Sequence, residues 1–153
     1  MKIYKATMDD LPDLVQLRID FLKMDYGQLS EEDEVTIRNQ SKGYFIKHLF
    51  MDDFIAIIVK VGEEIAGAAF LLIQERPANP SFITGLTGTL LNVITYPKFR
   101  RNGVATLVVR AIIDEARLMN VSSIDLSSTE DGRMLYEKLG FTVPPYTPMR
   151  LKL

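Results

Sequence analysis

The segment Tyr96-Pro97-Lys98-Phe99-Arg100-Arg101-Asn102-Gly103-Val104-Ala105-Thr106 decides how this sequence is interpreted. A β-branched run ends at a proline, a basic turn follows, and a glycine precedes a pattern of helical period. The first backbone N–H groups of a helix have no partner inside the helix, and the helix dipole favours an anion beside them. Because Gly103 has no Cβ atom, a ligand can approach its backbone closely. The segment therefore predicts an anion site at a helix start, and a simple solvated turn is the alternative.

Two well-known phosphate-binding turns do not fit this segment. No Gly-Lys-Ser/Thr sequence follows the turn, which excludes a P-loop. A single glycine also fails the three-glycine fingerprint of dinucleotide-binding folds.

Outward from this turn, the hydrophobic pattern predicts strands and helices in a definite order. The predicted strands are 2–6, 54–61, 65–73, 86–96, 123–127, 141–143 and 149–153. The predicted helices are 7–24, 31–50 with a break near Gly43, 104–120 and 130–139, with Thr7 and Ser30 as N-caps. This order predicts an α/β fold with a mixed sheet, antiparallel strands first and a strand–helix–strand unit later. We expect a single domain spanning residues 1–153.

Composition limits the classes of function. The 153 residues are 47% hydrophobic, with 18 Lys and Arg against 20 Asp and Glu and a net charge of −2. Such a balance argues against nucleic acid or an anionic membrane as partner. The chain has no cysteine and a single histidine, His48, so we expect no metal centre. It shows no signal-peptide pattern and no apolar run long enough to span a bilayer, so we expect a cytoplasmic protein.

Three separate motifs resemble one enzyme family. The sequence Arg-Arg-Asn-Gly-Val-Ala at 100–105 is similar to the [QR]-x-x-G-x-[GA] turn of the GCN5-related N-acetyltransferases (GNAT), which holds the coenzyme A (CoA) pyrophosphate. Residues 3–11 resemble the opening strand and helix of that family, and Leu-Tyr-Glu-Lys-Leu-Gly-Phe at 135–141 resembles its closing motif. Residues 91–93 and 132–136 resemble a bacterial subgroup of uncertain substrate. The resemblance covers nearly the whole chain.

The resemblance implies a fold and a cosubstrate. The fold would be the GNAT acyl-CoA N-acyltransferase fold, a central twisted mixed sheet flanked by helices, and the cosubstrate would be acetyl-CoA, with no metal. The pantetheine arm would pair with the strand around Val93 and Thr95. Where the family often has an asparagine that contacts CoA, Thr129 stands, and its hydroxyl either replaces that contact or caps a helix. The implied pyrophosphate site consists of Arg100, Arg101, Asn102, Gly103, Val104, Ala105 and Thr106.

Candidates for proton transfer are uneven. Tyr136 is the candidate acid, because a phenol is protonated at neutral pH and the family places a tyrosine near the thioester sulfur. The alternative is that Tyr136 only packs in the core. No base is evident, since the glutamate that some members carry falls on Leu90. Asn92 could orient a water or the amine, whereas Glu75 and His48 are weak candidates beside a water chain.

The acceptor side offers one conspicuous cation. Arg18 falls within the apolar arc of the first helix, so it must either pair internally or face a cleft. It would bind an acidic group of the substrate, or else pair with Asp25 or Asp20. Tyr26 lies in the region that shapes the acceptor site in the family. The acidic run at 31–34 would suit a cationic amine, or would only complement a helix dipole.

The sequence thus predicts direct acetyl transfer from acetyl-CoA to a primary amine of a small molecule or peptide. A CoA-binding sensor or interaction module without turnover is the first alternative. A nucleic-acid-binding domain that uses Lys98, Arg100 and Arg101 is the second, and the net charge counts against it. Because family members often dimerise, a homodimer is one expectation, although no sequence feature marks its interface.

Overall fold

Five strands form one sheet in the order β1-β2-β3-β4-β5, as described by a computed structural model of residues 1–153. The first four strands run antiparallel to their neighbours, and β5 runs parallel to β4. The predicted mixed sheet, with antiparallel strands first, is therefore confirmed. The strands are β1 (Lys2–Lys5), β2 (Phe54–Val61), β3 (Glu64–Glu75), β4 (Leu86–Thr95) and β5 (Ser123–Asp125).

Four α-helices connect and cover these strands. They are α1 (Leu11–Tyr26), α2 (Glu31–Met51), α3 (Val104–Leu118) and α4 (Glu130–Lys138). Thr7 caps a short 3-10 turn that leads into α1, and the Ser30 side chain accepts a hydrogen bond from the N–H of Asp33, so both predicted N-caps are confirmed. None of the helices combines the length and the apolar composition needed to cross a bilayer.

The sheet has a hydrophobic cluster on each face, because side chains alternate along each strand. On β2, Ile55 and Ile57 pack on the side of α3. Ala56 and Ile58, which alternate with them, pack on the side of α1 and α2. The chain therefore has three layers, with the sheet in the middle.

The second helix runs unbroken through Gly43, so the predicted break is wrong. A glycine inside a helix costs about 1 kcal/mol relative to alanine, which destabilises a helix without necessarily ending it. Packing two residues later outweighs that cost. Phe45 is buried, and its ring lies 5.1 Å from that of Phe54 and 5.6 Å from that of Phe70.

The two predicted closing strands are absent, so this part of the prediction is also wrong. Residues 142–153 make no backbone hydrogen bond to any part of the chain. Pro144, Pro145 and Pro148 have no N–H to donate, and a strand exists only where a neighbouring strand accepts its hydrogen bonds. The pattern of alternating residues at 149–153 therefore lacks a partner within this chain.

Candidate active site

A β-bulge interrupts β4 near its centre. Ala68 of β3 pairs with Ile94, but Phe70 pairs with Leu91, so one residue of β3 faces two of β4. Asn92 takes up the irregularity with a φ of 57°, in the left-handed region that asparagine tolerates better than most residues. The bulge lets neighbouring β4 side chains depart from simple alternation.

Beyond the bulge, one edge of β4 is open. The pairing of β5 with β4 covers only Thr87–Thr89, whereas β4 continues to Thr95. The two parallel strands therefore separate, and no strand covers the edge of β4 over residues 90–95. The backbone of this edge is free to bind an extended ligand.

The turn after β4 presents a row of unused backbone donors. A short 3-10 turn over Pro97–Phe99 leads to Gly103, which has a φ of 76° and precedes the first residue of α3. The backbone N–H groups of residues 101–106 have no acceptor in the protein, and no side chain caps α3. A Cβ atom built on Gly103 would meet nothing within 4 Å, so the space above the turn is open. These features form a helix N-terminus suited to an anion.

The three basic residues of the turn are engaged differently. Lys98 donates to both carboxylate oxygens of Glu64, at 2.7 and 2.9 Å, and is thereby paired. Arg100 donates from Nε to the carbonyl oxygen of Thr95 at 3.4 Å, which keeps it beside the end of β4. Arg101 is exposed and, like Arg100, forms no ion pair. Two uncompensated arginines therefore flank the row of N–H groups.

Comparison with known proteins agrees with this geometry. The acetyltransferase (GNAT) family model matches residues 13–141. The chain belongs to the GNAT family. The family prediction made from the three motifs is thus confirmed.

Individual relatives agree with the family match. A predicted acetyltransferase of Clostridium acetobutylicum, crystallised with acetyl-CoA, is 27% identical with a TM-score of 0.85, covering 97% of this chain and 95% of that one. A GCN5-related N-acetyltransferase of Ralstonia eutropha JMP134 is 16% identical with a TM-score of 0.82, covering 98% and 97%, and shows the fold alone. The uncharacterized N-acetyltransferase ycf52 of Pyropia yezoensis is 27% identical over 95 residues, which are 57% of this chain. The match spans 55% of that relative, about half of its length.

Within this GNAT fold, Tyr136 faces the same side of the sheet as Val93. Both side chains pack against the hydrophobic cluster beneath α3. The Tyr136 ring makes an edge contact with Phe141 at 5.8 Å, and its hydroxyl has no hydrogen-bond partner in the protein. Burial raises the pKa of Tyr136 above its usual value, since the charged phenolate is poorly solvated there. Tyr136 is therefore a protonated phenol with a free donor.

Asn92 points to the opposite face, towards α1. Its side chain is 1% exposed, and its Nδ2 donates to the carbonyl oxygen of Leu17 at 3.2 Å. Its Oδ1 accepts from Nη1 of Arg18 at 3.3 Å. Both ends of the Asn92 amide are thus occupied by α1, and the amide holds Arg18 against the bulge.

Arg18 is half-buried and forms no salt bridge. Asp20, one of its two expected partners, instead accepts hydrogen bonds from the Tyr96 hydroxyl and from Gln16. Burial lowers the pKa of Arg18, and the nearby Tyr26 and Asp25 partly offset that effect. The ion pairs expected from the sequence are therefore not formed. The bulge carries one cation whose only side-chain partner is a neutral amide.

The remaining candidates fall in three places. Thr129 caps α4, with its Oγ1 accepting from the N–H of Gly132 at 3.2 Å, which is one of the two roles expected of it. The Thr95 hydroxyl is buried and has no partner. Glu75 is exposed and pairs with Leu86 at the far end of β4. His48 lies 2.7 Å from Asp53 beside the start of β2.

One polar feature of this region was not predicted. A cavity of about 680 Å³ is lined by the carboxylates of Asp13, Asp20, Glu63 and Glu64 together with Tyr96. Asp13 and Asp20 are seven residues apart and therefore share a face of α1, so helical spacing alone could have paired them. The remaining acidic residues join them only through the approach of the β2–β3 turn, which the sequence does not reveal.

Proposed function

We propose that this chain transfers an acetyl group from acetyl-CoA directly to a primary amine of a small molecule or peptide. The observation that carries the proposal is the row of backbone N–H groups at 101–106 without acceptors, flanked by Arg100 and Arg101. Backbone donors, a helix dipole and two guanidinium groups suit the two negative phosphates of a pyrophosphate. The family to which the chain belongs uses this turn for that purpose.

The edge of β4 would hold the rest of acetyl-CoA. Val93 and Thr95 lie where β5 no longer covers β4, and backbone groups there would pair with the amides of the pantetheine arm. The buried Thr95 hydroxyl, which lacks a partner, supports a ligand at this position, because buried polar groups are normally hydrogen-bonded. Bound acetyl-CoA supplies an activated thioester carbonyl to the reaction.

Tyr136 would supply the proton that the departing thiolate needs. Its raised pKa keeps the phenol protonated at neutral pH, and its hydroxyl has no competing acceptor in the protein. Tyr136 and Val93 pack against the same cluster, which favours a position for the phenol beside the β4 edge. A positioned general acid contributes on the order of 100-fold to 10,000-fold in rate.

The acceptor amine would lose its proton to water. The position at which some family members carry a glutamate is Leu90, which is buried and cannot take a proton. Asn92 is not available either, because both ends of its amide are bound to α1. Its contribution is instead to position Arg18. A covalent acetyl-cysteine intermediate is excluded by the absence of cysteine.

Arg18 indicates which amines the site would favour. A half-buried guanidinium without a carboxylate partner is costly, and an anionic group on the acceptor would offset that cost. The exposed Tyr26 at the end of α1 would lie at the rim of the same site. We therefore propose an acceptor that carries a carboxylate or phosphate group in addition to its amine.

The experiment is a steady-state assay of CoA release with a thiol-reactive dye over a panel of amines. The protein contains no cysteine, so it contributes no background to the signal. The parent should turn over at least one acceptor, and Tyr136→Phe should lower kcat by on the order of 100-fold without weakening acetyl-CoA binding. Tyr44→Phe is the matched control, because Tyr44 is also half-buried but lies in the aromatic cluster beside His48.

The same assay separates the alternative of a silent CoA-binding module. The missing glutamate at Leu90 is the observation that favours this alternative. Acetyl-CoA binding without CoA release or acetylated product for any amine would support the module and contradict the enzyme.

A further inference from the structure

The C-terminal tail, residues 142–153, is a β-strand sequence without a sheet. Met149, Leu151 and Leu153 alternate with Arg150 and Lys152, which is the period of a strand with one apolar face. All three apolar side chains are at least 82% exposed, and no backbone group of the tail is hydrogen-bonded to the chain. Exposed apolar alternation of this kind indicates a surface that is buried in a complex.

The sheet also ends in an unpaired edge. β5 pairs with β4 on one side only, and no other strand lies beyond it. Its outer N–H and C=O groups are free to accept an added strand, which is how sheet edges bind extended segments. Partly buried hydrophobic residues lie beside this edge, including Ile124 and Leu126, and would receive the apolar face of such a strand.

The charges of the tail and the edge are complementary. The polar face of the tail carries Arg150 and Lys152. Exposed carboxylates lie at the end of β5 and at the start of α4, at Asp125, Glu130 and Asp131. Opposite charges on the two elements would favour their association and fix its direction.

The proline content of the tail favours a partner outside the chain. Pro144, Pro145 and Pro148 stiffen the segment that precedes the strand sequence. At about 3.1 Å per residue in an extended proline-rich conformation, residues 142–149 would reach about 25 Å. A stiff connection of this length carries the strand sequence away from the sheet edge of its own chain.

We infer that the tail of one copy adds to the β5 edge of a second copy, and that a twofold exchange forms a homodimer. Each chain supplies one tail and one edge, so a twofold axis satisfies both and leaves no free edge for further growth. The exchange converts the exposed strand sequence and the open edge into one antiparallel or parallel pairing on each side. The dimer does not depend on the proposed acetyl transfer.

The first test is light scattering coupled to size-exclusion chromatography on the full chain over a range of micromolar concentrations. The parent should have twice the chain mass of 17.4 kDa. Changing the apolar face with Met149→Ser and Leu151→Ser should produce a monomer. Changing the polar face with Arg150→Ser and Lys152→Ser is the matched control and should leave the dimer in place. A monomeric parent, or an apolar-face variant that stays dimeric, would overturn the proposal.

A second measurement locates the contact and does not depend on any variant. Amide hydrogen exchange at residues 149–153 should be slow in the dimer, because added-strand hydrogen bonds protect the backbone. Fast exchange at these residues in a dimeric parent would mean that the dimer forms elsewhere, and would also overturn the proposal. Because the tail contacts nothing else in its chain, all variants should retain the circular dichroism spectrum of the parent.

Discussion

The guanidinium of Arg18 donates from Nη1 to the side-chain oxygen of Asn92 at 3.3 Å, and this contact joins the first helix to the bulge of β4. The two residues are 74 positions apart in the sequence. Asn92 completes the link by donating to the carbonyl oxygen of Leu17 on the same helix. The cation of the proposed acceptor site is therefore held by a neutral amide, which leaves its charge available to a ligand.

Replacing Arg18 by alanine should weaken only acceptors that carry an anionic group. A hydrogen bond to a charged group contributes about 1.5–3 kcal/mol, so KM for such acceptors should rise by roughly 10-fold to 100-fold. The comparison is between an amine that carries a carboxylate and the same amine with that group converted to a carboxamide. Arg38→Ala is the control, since Arg38 is paired with Glu34 and Gln16 on the outer side of the helices. Equal losses for both acceptors would contradict an anion-binding role.

Replacing Asn92 should destabilise the fold in an order that its backbone dictates. Both Asn92→Ala and Asn92→Gly leave the Leu17 carbonyl without its partner, at a cost of about 1–3 kcal/mol. The φ of 57° adds about 1–2 kcal/mol of strain for alanine and essentially none for glycine. Asn92→Gly should therefore be the more stable of the two in urea unfolding. The reverse order would mean that the bulge relaxes when its amide is removed.

Stability should fall at alkaline pH partly because of Tyr44. Burial, with a smaller effect of Asp53, raises the pKa of Tyr44 to about 12, whereas an unfolded tyrosine titrates near 10. Above about pH 10 the unfolded chain binds fewer protons at this site than the folded chain does. The free energy of unfolding is thus highest below that pH and decreases as the pH rises towards about 12. Tyr44→Phe should reduce this decrease, as measured by urea unfolding at a series of pH values. An unchanged pH profile would contradict the assignment.

The sequence was sufficient to predict most elements and the anion-binding turn, because both depend on local patterns. Alternation predicted the strands, helical spacing predicted α3, and the basic turn with Gly103 predicted the free donors at 101–106. The bulge could not be predicted, since it depends on how β3 and β4 align rather than on either strand alone. For the same reason the sequence could not show that Asn92 faces α1 or that Arg18 lacks a carboxylate partner.

Two errors have a common physical origin. The break at Gly43 and the strand at 149–153 were both judged from local preference, and tertiary context decided both. Packing of Phe45 maintains the helix through the glycine. In the tail the preference for a strand is present, but no partner within the chain accepts it.

The measurement that tests the central claim most directly is calorimetric titration of acetyl-CoA into the parent, Gly103→Glu and Gly62→Glu. Both glycines have positive φ and open space around the position of a Cβ atom, so the two variants share the same strain and the same added charge. Only Gly103→Glu places that charge at the row of N–H groups. The account predicts micromolar binding to the parent and to Gly62→Glu, with a loss of on the order of 100-fold or more in Gly103→Glu, since charge-assisted hydrogen bonds of about 1.5–3 kcal/mol each are removed. Absence of binding to the parent, or equal binding to Gly103→Glu, would contradict the assignment of this turn as the cofactor site.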